Sequence, residues 1–529
     1  MAGHDGSHVL NAISIARNLK RRRKELKLSR FDVSERSGVS PSFYSELEMG
    51  RKAASGETLR RVTRALDMSL DELQSDHYDA ALEALLDFQD RDIAIKEGIE
   101  LLDNAPHLAQ AIPRLLANVA RVSDRGSKKA VIYPILLRDF QEEHYNHFPA
   151  LEREATAFLA EHPPRGISPD RHDLQGILRY VYKYTVKPEH DFHEQDYQHL
   201  PIIRAMWLRH GKQQYVLLNR RLLESQKTFE LAREIAYNLP FLRGKETLAH
   251  RVPTSPHIDI HSYPQILNEF TASYFAGAVL MPQEALEADV AAWFQHPTFD
   301  REHLWAMLSK YNVTPEMLLH RLTEILPGKR FGIKRLHFLR FEHNRATCQG
   351  EPDWRVFHLS KLLNLASLPF PYGESSSEKY CRRYNAIQAL REMRQDLEAS
   401  RITAEALYAR PMIRVQRARF VQEPYRDTTY LCITMARPLE LQPNILSSVT
   451  IGFVVDAHFK DTVRFWDDTT HIAPLGHDVV EVGHTCQRCP LSAEACTDRA
   501  AEAVIFREEA QQQEMQRLLR ETTSALLTP

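Results

Sequence analysis

No run of about eighteen apolar residues occurs in the 529-residue chain, and its N-terminus lacks the apolar core of a signal peptide. These absences exclude a membrane-spanning helix and lead us to expect a cytoplasmic protein with no membrane partner. Cysteine is scarce, at six residues, and three of those fall between Cys486 and Cys496. So few thiols in so long a chain exclude a disulfide framework and read instead as a metal or cluster site. Charge of one sign is also missing, since the formal net charge is −2. That balance hides a local asymmetry: Lys20 to Lys24 reads KRRRK, with Arg17, Lys27 and Arg30 beside it. A basic N-terminal region on a mildly acidic remainder favours a local nucleic-acid surface.

With 43% apolar and 26% charged residues the composition is that of a soluble protein, and the length calls for three or four domains. The most informative stretch runs from Leu28 to Arg51. Ser29 caps one short helix, Gly38 supplies a turn, and Ser40 with Pro41 opens a second helix that Gly50 ends. Val33, Val39, Tyr44 and Leu47 fall where two helices would pack together, leaving Ser42, Phe43, Ser45 and Glu46 outward. Small polar side chains near a helix N-terminus suit a major groove, and Arg51 and Lys52 follow where phosphates would lie. The stretch from Ser37 to Gly50 resembles the lambda-repressor-like helix-turn-helix family called XRE. That resemblance implies a five-helix DNA-binding domain over residues 1–75, binding double-stranded operator DNA. Ser42, Phe43 and Ser45 are expected at base edges, with Ser40 at the helix start and Arg17, Arg30 and Arg51 at phosphates. Arg30 stands where the family commonly carries a glutamine.

The fold class expected for the whole is multidomain, mostly α with α+β parts. Residues 76–129 read as a helical connector or dimerisation arm. Residues 130–330 begin a second domain, with a helix from Ile167-Ser168-Pro169 to Tyr184, a hairpin turning near Gly211, and helices around 228–238 and 266–280. The helix Phe229 to Tyr237 and the later Glu269-x2-Ala272-x2-Phe275-Ala276 resemble ImmA/IrrE-type metallopeptidases. Those enzymes bind zinc through both histidines of HExxH and a glutamate one helix on. Here Arg233 and Tyr237 stand at the histidine positions, while Glu234 and Glu269 remain. A guanidinium and a phenol are poor zinc ligands, so a degenerate, non-catalytic α+β domain is expected. A third, α+β domain spans 331–507, with strands expected in GIKRLHFLRFEHN, YLCITMARP, SVTIGFVVDA and TVRFWDD, and with Lys379 to Arg401 read as an inserted charged helix. Residues 508–529 read as a helical tail.

Cys486-x2-Cys489-x6-Cys496 can hold one centre from a loop, and spacing alone favours zinc over iron–sulfur. A fourth ligand must come from elsewhere; Cys348 is the leading candidate, with His477 and His484 as alternatives, Cys432 a buried filler and Cys381 without an evident partner. The block from His337 to Ala503 resembles the C-terminal domain of short-chain fatty acyl transcriptional regulators, which carry the same three domains in this order. The resemblance implies a homodimer or homotetramer that binds CoA or a short-chain acyl-CoA and holds a [4Fe-4S] cluster through Cys348, Cys486, Cys489 and Cys496. The family reads Cys-Pro-x-Trp-Asn after its first cysteine, whereas Cys348 is followed by Gln349-Gly350-Glu351-Pro352-Asp353-Trp354. For the effector, Lys334, Arg335 and Arg340, with Lys329 and Arg330, offer cations for phosphates, and Trp354, Phe338 and Phe357 an apolar wall. Two rival readings are an XRE-type repressor controlled by protein partners with a structural zinc, and, less favoured, a zinc metallopeptidase.

Overall fold

The short helices of the N-terminal region are set by their caps. In the computed structural model, which describes residues 15, 18–48, 52, 54–74, 128–191, 203–210, 213–245, 263–344, 357–366, 368, 379–422, 425–472, 479–492, 494–499, 515 and 517, a first helix, α1, covers 18–25. Ser29 starts α2 (Arg30–Ser37) by a capping box: the Asp32 amide donates to Ser29 Oγ at 3.1 Å and the Ser29 amide to Asp32 Oδ2 at 2.7 Å. Gly38 ends it at φ 64°, a conformation cheap only for glycine. Helices α3 (Pro41–Glu48), α4 (Gly56–Ala65) and α5 (Leu70–Gln74) follow, with a second capping box between Ser69 and Glu72. Val33, Tyr44, Leu47, Leu59, Val62 and Leu66 close one core, each contributing roughly 2 kcal/mol by burial.

The chain divides into two compact units, Met1–Phe140 with Asp259–Ile266, and Gln141–Ile258 with Leu267–Pro529. Helix α6 covers Lys128–Glu143. The second unit continues with α7 (Pro149–Glu161), α8 (Arg171–Tyr180), β1 (Tyr184–Val186), β2 (Ala205–His210) and β3 (Gln213–Leu218). These strands order as β1-β3-β2, with β1 parallel to β3 and β2–β3 the expected hairpin. Helix α8 starts at the cap Asp170 and stops four residues before the expected end, because Lys183 turns to φ 62° and Tyr184 enters β1. Then come α9 (Glu224–Asn238), α10 (Tyr263–Leu280), α11 (Gln283–Phe294), α12 (Arg301–Tyr311) and α13 (Pro315–Ile325), the last capped by Thr314.

A six-stranded sheet, β5-β4-β8-β7-β6-β9, organises the rest: β4 (Leu336–Asn344), β5 (Phe357–Asn364), β6 (Met412–Phe420), β7 (Thr429–Pro438), β8 (Ile445–Val454) and β9 (Val480–Val482). All its pairings are antiparallel except β6 with β9. Helix α13 packs against β4 and β8, so the residues on either side of 330 belong to one compact unit.

Two expectations are corrected here. The charged stretch read as an insertion is α14 (Asn385–Glu398), a core helix laid across β6, β7 and β8 with Ala386, Ile387, Ala389, Leu390 and Met393 buried. Asn385 fastens it, its Nδ2 donating to the Arg414 carbonyl at 3.0 Å and to Thr434 Oγ1 at 2.9 Å. The short α15 (Ala404–Ala409) follows. The segment TVRFWDD is helical rather than extended: Asp456 caps α16 (Ala457–Thr462), a 3-10 turn covers Arg464–Asp467, and α17 (Thr469–Ile472) completes it. Burial of Phe459, Val463 and Phe465 follows that helical path. The connector over 76–127 and nearly all of the tail lie outside the described residues.

Candidate DNA-binding, degenerate metallopeptidase and cysteine sites

In the helix-turn-helix, Ser40 is exposed and its Oγ accepts from the Phe43 amide at 3.2 Å, which makes it the cap of α3. Ser42 is exposed, while Phe43 and Ser45 are half-buried. Phe43 leans on the domain core and carries Lys52 Nζ 5.4 Å above its ring. Its ring therefore offers only part of its surface outward, less than the sequence implied. Arg30 is not an isolated surface cation, because its Nε donates to the buried carboxylate of Glu48 at 2.5 Å. Arg17 and Arg51 lie outside the described residues.

In α9 and α10 the side chains at the former ligand positions form a closed polar knot. Arg233 Nη2 donates to Glu269 Oε2 at 2.6 Å, Tyr237 donates to the same oxygen at 2.6 Å, and Arg233 Nη1 reaches Glu230 at 2.9 Å. Burial alone would lower the Arg233 pKa, yet Glu230, Tyr237 and Glu269 outweigh it and the pKa is raised. Burial holds the Tyr237 phenol well above its ordinary value. Glu234, where a general base would stand, is buried and accepts from Tyr184, which in turn accepts from Asn238 at 3.1 Å. One fixed cation, one neutral phenol and one carboxylate do not fit zinc.

Around β9 the loops gather thiols. Cys381, Cys486, Cys489 and Cys496 line one recess together with Arg382, Arg383, Asp498 and Arg499. The first three of these cysteines are buried and Cys496 is half-buried. Two bonds join the loops: the Cys381 amide donates to the His484 carbonyl at 3.2 Å and the Cys486 amide to the Lys379 carbonyl at 2.7 Å. The Gly483 amide donates to Cys381 Sγ at 3.3 Å, and a Cβ on Gly483 would stand 3.0 Å from Cys489 Sγ, a tight contact that glycine avoids. Burial pushes the Cys381 thiol up to about 12 and also raises Cys489. Among the described residues no three His, Cys, Asp or Glu side chains form a ready metal-holding group, while the four thiols line this one recess.

The place of Cys381 in this recess is what sequence reasoning missed. Cys348, assigned to the fourth position, lies outside the described residues. A signal was present, for Cys381-Arg382-Arg383-Tyr384-Asn385 follows the Cys-Pro-x-Trp-Asn spacing with an aromatic and an asparagine in place, and the stretch after Cys348 does not. Cys432, in β7, is fully buried away from this group, as a filler would be.

The residues named for an effector do not act as one cationic face. Lys334 is exposed, 4.8 Å above the Tyr145 ring, and Arg335 is exposed near Asp456. Arg340 is buried between Glu316 at 3.2 Å and Glu342 at 2.8 Å, so its charge is already taken. Phe338 is buried, Phe357 stacks on His343, and Trp354 lies outside the described residues.

Comparison with known proteins agrees with the two N-terminal assignments. The helix-turn-helix family model matches residues 19–73, and the IrrE N-terminal-like domain of the M78 peptidases matches residues 188–323. No curated protein matches the chain. Among solved structures a Mycobacterium tuberculosis transcriptional regulator is similar at 17% identity over 69% of this chain and 93% of that one, with a TM-score of 0.46. No helix among the described residues is long and apolar enough to cross a membrane. The chain thus carries a helix-turn-helix DNA-binding domain and an IrrE-like domain in succession.

Proposed function

We propose that this protein is a sequence-specific transcription regulator, a homodimer or homotetramer without peptidase activity, whose operator affinity is set by a cysteine-bound centre and a small effector. The observation that carries the DNA-binding part is the α2–Gly38–α3 geometry, with Ser42 outward on a capped helix inside a basic domain. Against proteolysis stands the Arg233–Tyr237–Glu269 knot, which leaves no imidazole for zinc.

The recess thiols support a centre held by Cys381, Cys486, Cys489 and Cys496. A single zinc needs its sulfurs within about 2.3 Å of one point, whereas a [4Fe-4S] cluster takes each thiolate at a separate iron. The preference for the cluster comes from the family resemblance, and the recess supplies the thiols it needs. A bound cluster supplies thiolate-to-iron charge transfer and a one-electron redox change. This chain's own part is to turn the Gly483 amide on Cys381 and to place Arg499 against the Cys486 carbonyl at 3.3 Å, donors that stabilise negative sulfur and orient the loop. CoA or a short-chain acyl-CoA as effector rests on the family resemblance; with Arg340 committed to Glu316 and Glu342, the phosphates fall to exposed cations such as Lys334 and Arg335. Such a ligand changes DNA affinity only by favouring one arrangement of the protein over another.

A genome-wide occupancy map tests the central part. Discrete occupied promoters whose fragments bind more weakly as salt rises support it; uniform background occupancy overturns it. Calorimetry with propionyl-CoA and acetyl-CoA on protein with its centre intact tests the effector, and the absence of both heat and any change in operator affinity removes it.

A further inference from the structure

Glu48, the last residue of α3, has a fully buried carboxylate that serves two arginines. Arg23 Nε donates to its Oε1 at 2.6 Å and Arg30 Nε to its Oε2 at 2.5 Å. The two arginines differ in what else they do. Arg23 is 13% exposed and its Nη1 also donates to the Leu28 carbonyl at 2.9 Å, so it belongs to the packing. Arg30 is 45% exposed at the first position of α2, and among the described residues neither of its η nitrogens has a hydrogen-bond partner.

A guanidinium is a rigid plane with five N–H donors, so tying it down by Nε leaves the η edge presented as a fork. A flexible surface arginine loses up to about 2 kcal/mol of rotamer entropy when a ligand fixes it, and a side chain already held loses less. We infer that Glu48 is a positioning residue for DNA binding: it fixes the Arg30 guanidinium at the start of α2 with its η edge turned outward to take a DNA phosphate. This rests on the DNA-binding reading above and says how one of its contacts is built. Where XRE-type domains carry a glutamine, this chain has an arginine whose charge is partly offset by Glu48, so geometry counts for more than charge at this position. Arg30→Lys keeps the charge but offers neither an Nε for Glu48 nor a fork for the phosphate.

The test uses the full-length protein and an operator fragment taken from the occupancy map. Operator affinity and its salt dependence are measured for the wild type, Arg30→Lys, Glu48→Gln and the double variant, with thermal unfolding of each. The inference predicts that Arg30→Lys weakens binding about tenfold with little change in salt slope, and that in the Glu48→Gln background the same substitution costs less than about threefold. Wild-type affinity in Arg30→Lys, or an equal loss in both backgrounds with the fold intact, overturns it. Glu48→Gln also removes the partner of Arg23 and can fail to fold. Ethylation interference on the wild type and Arg30→Lys then decides: the inference requires a phosphate whose ethylation blocks the wild type and interferes markedly less with the lysine variant, and finding none overturns it. A wild type that binds no fragment in a salt-dependent way removes the DNA-binding reading, and this inference with it.

Discussion

At α9 the frame of a zinc site keeps its carboxylates, Glu234 and Glu269, but an arginine and a phenol fill the ligand positions. Around β9 the opposite has happened: four cysteines from separate parts of the chain line one recess, although their spacing in sequence shows only three of them together. In the first region one guanidinium supplies inside the protein the positive charge that an ion would otherwise bring. The second gathers thiols, of which burial raises Cys381 and Cys489, in a recess that Arg382, Arg383 and Arg499 also line. The two sites thus differ in what fills their ligand positions: a guanidinium and a phenol beside a carboxylate at the first, thiols at the second.

The largest effects belong to the recess. Cys486→Ser should abolish the bound centre, read as loss of iron, sulfide or zinc from anaerobically purified protein, while Cys432→Ala should leave the metal content unchanged. Next in size is the plug of the degenerate site. Arg233→Ala strands Glu230 and Glu269 in the interior and should cost about 3 kcal/mol in denaturant unfolding without any gain in zinc binding. Stability unchanged by that substitution would show that Arg233 does not replace a metal's charge.

A third prediction separates loss of the sheet from loss of the centre at low pH. His337 is buried against Gly452, whose Cβ position lies 2.1 Å from its Cε1, and its Nε2 stands 3.1 Å from the Tyr384 hydroxyl. Burial lowers its pKa to about 3, below an ordinary value of about 6.5. The neutral ring's contribution is thus fully present above about pH 6.5 and is lost as pH falls toward 3, at about 1.4 kcal/mol per unit within that window. His337→Asn should flatten that dependence in unfolding measured between pH 6.5 and 4.5; an unaltered slope would assign the acid sensitivity elsewhere. Smallest of the set is Gly483→Ala. Its added methyl, 3.0 Å from Cys489 Sγ, should displace that loop at a cost of about 1 kcal/mol and lower the retained metal without abolishing it.

What was legible in the sequence was local. The cap at Ser29, the turn at Gly38 and the apolar spacing of Val33, Tyr44 and Leu47 lie within a few residues of what they determine. The Arg233 and Tyr237 replacements were readable for the same reason, being one helical turn apart. Helix α14 was misread because its outward charges hide a buried stripe of Ala386, Ile387, Leu390 and Met393 that matters only once the sheet lies beneath it. The segment TVRFWDD has a strand's composition, but the Asp456 cap sets its conformation. Arg30 looked like a plain phosphate ligand because its partner Glu48 lies 18 residues away. Cys381 was hidden by distance too, since the sheet and α14 together carry it to a loop about a hundred residues later in the chain.

Iron, labile sulfide and zinc measured on anaerobically purified wild type, Cys381→Ser and Cys348→Ser test the account most directly. The account predicts iron and sulfide in equal amounts in the wild type and in Cys348→Ser, and neither in Cys381→Ser. A centre that survives in Cys381→Ser and disappears in Cys348→Ser, or one zinc without sulfide in the wild type, would contradict it.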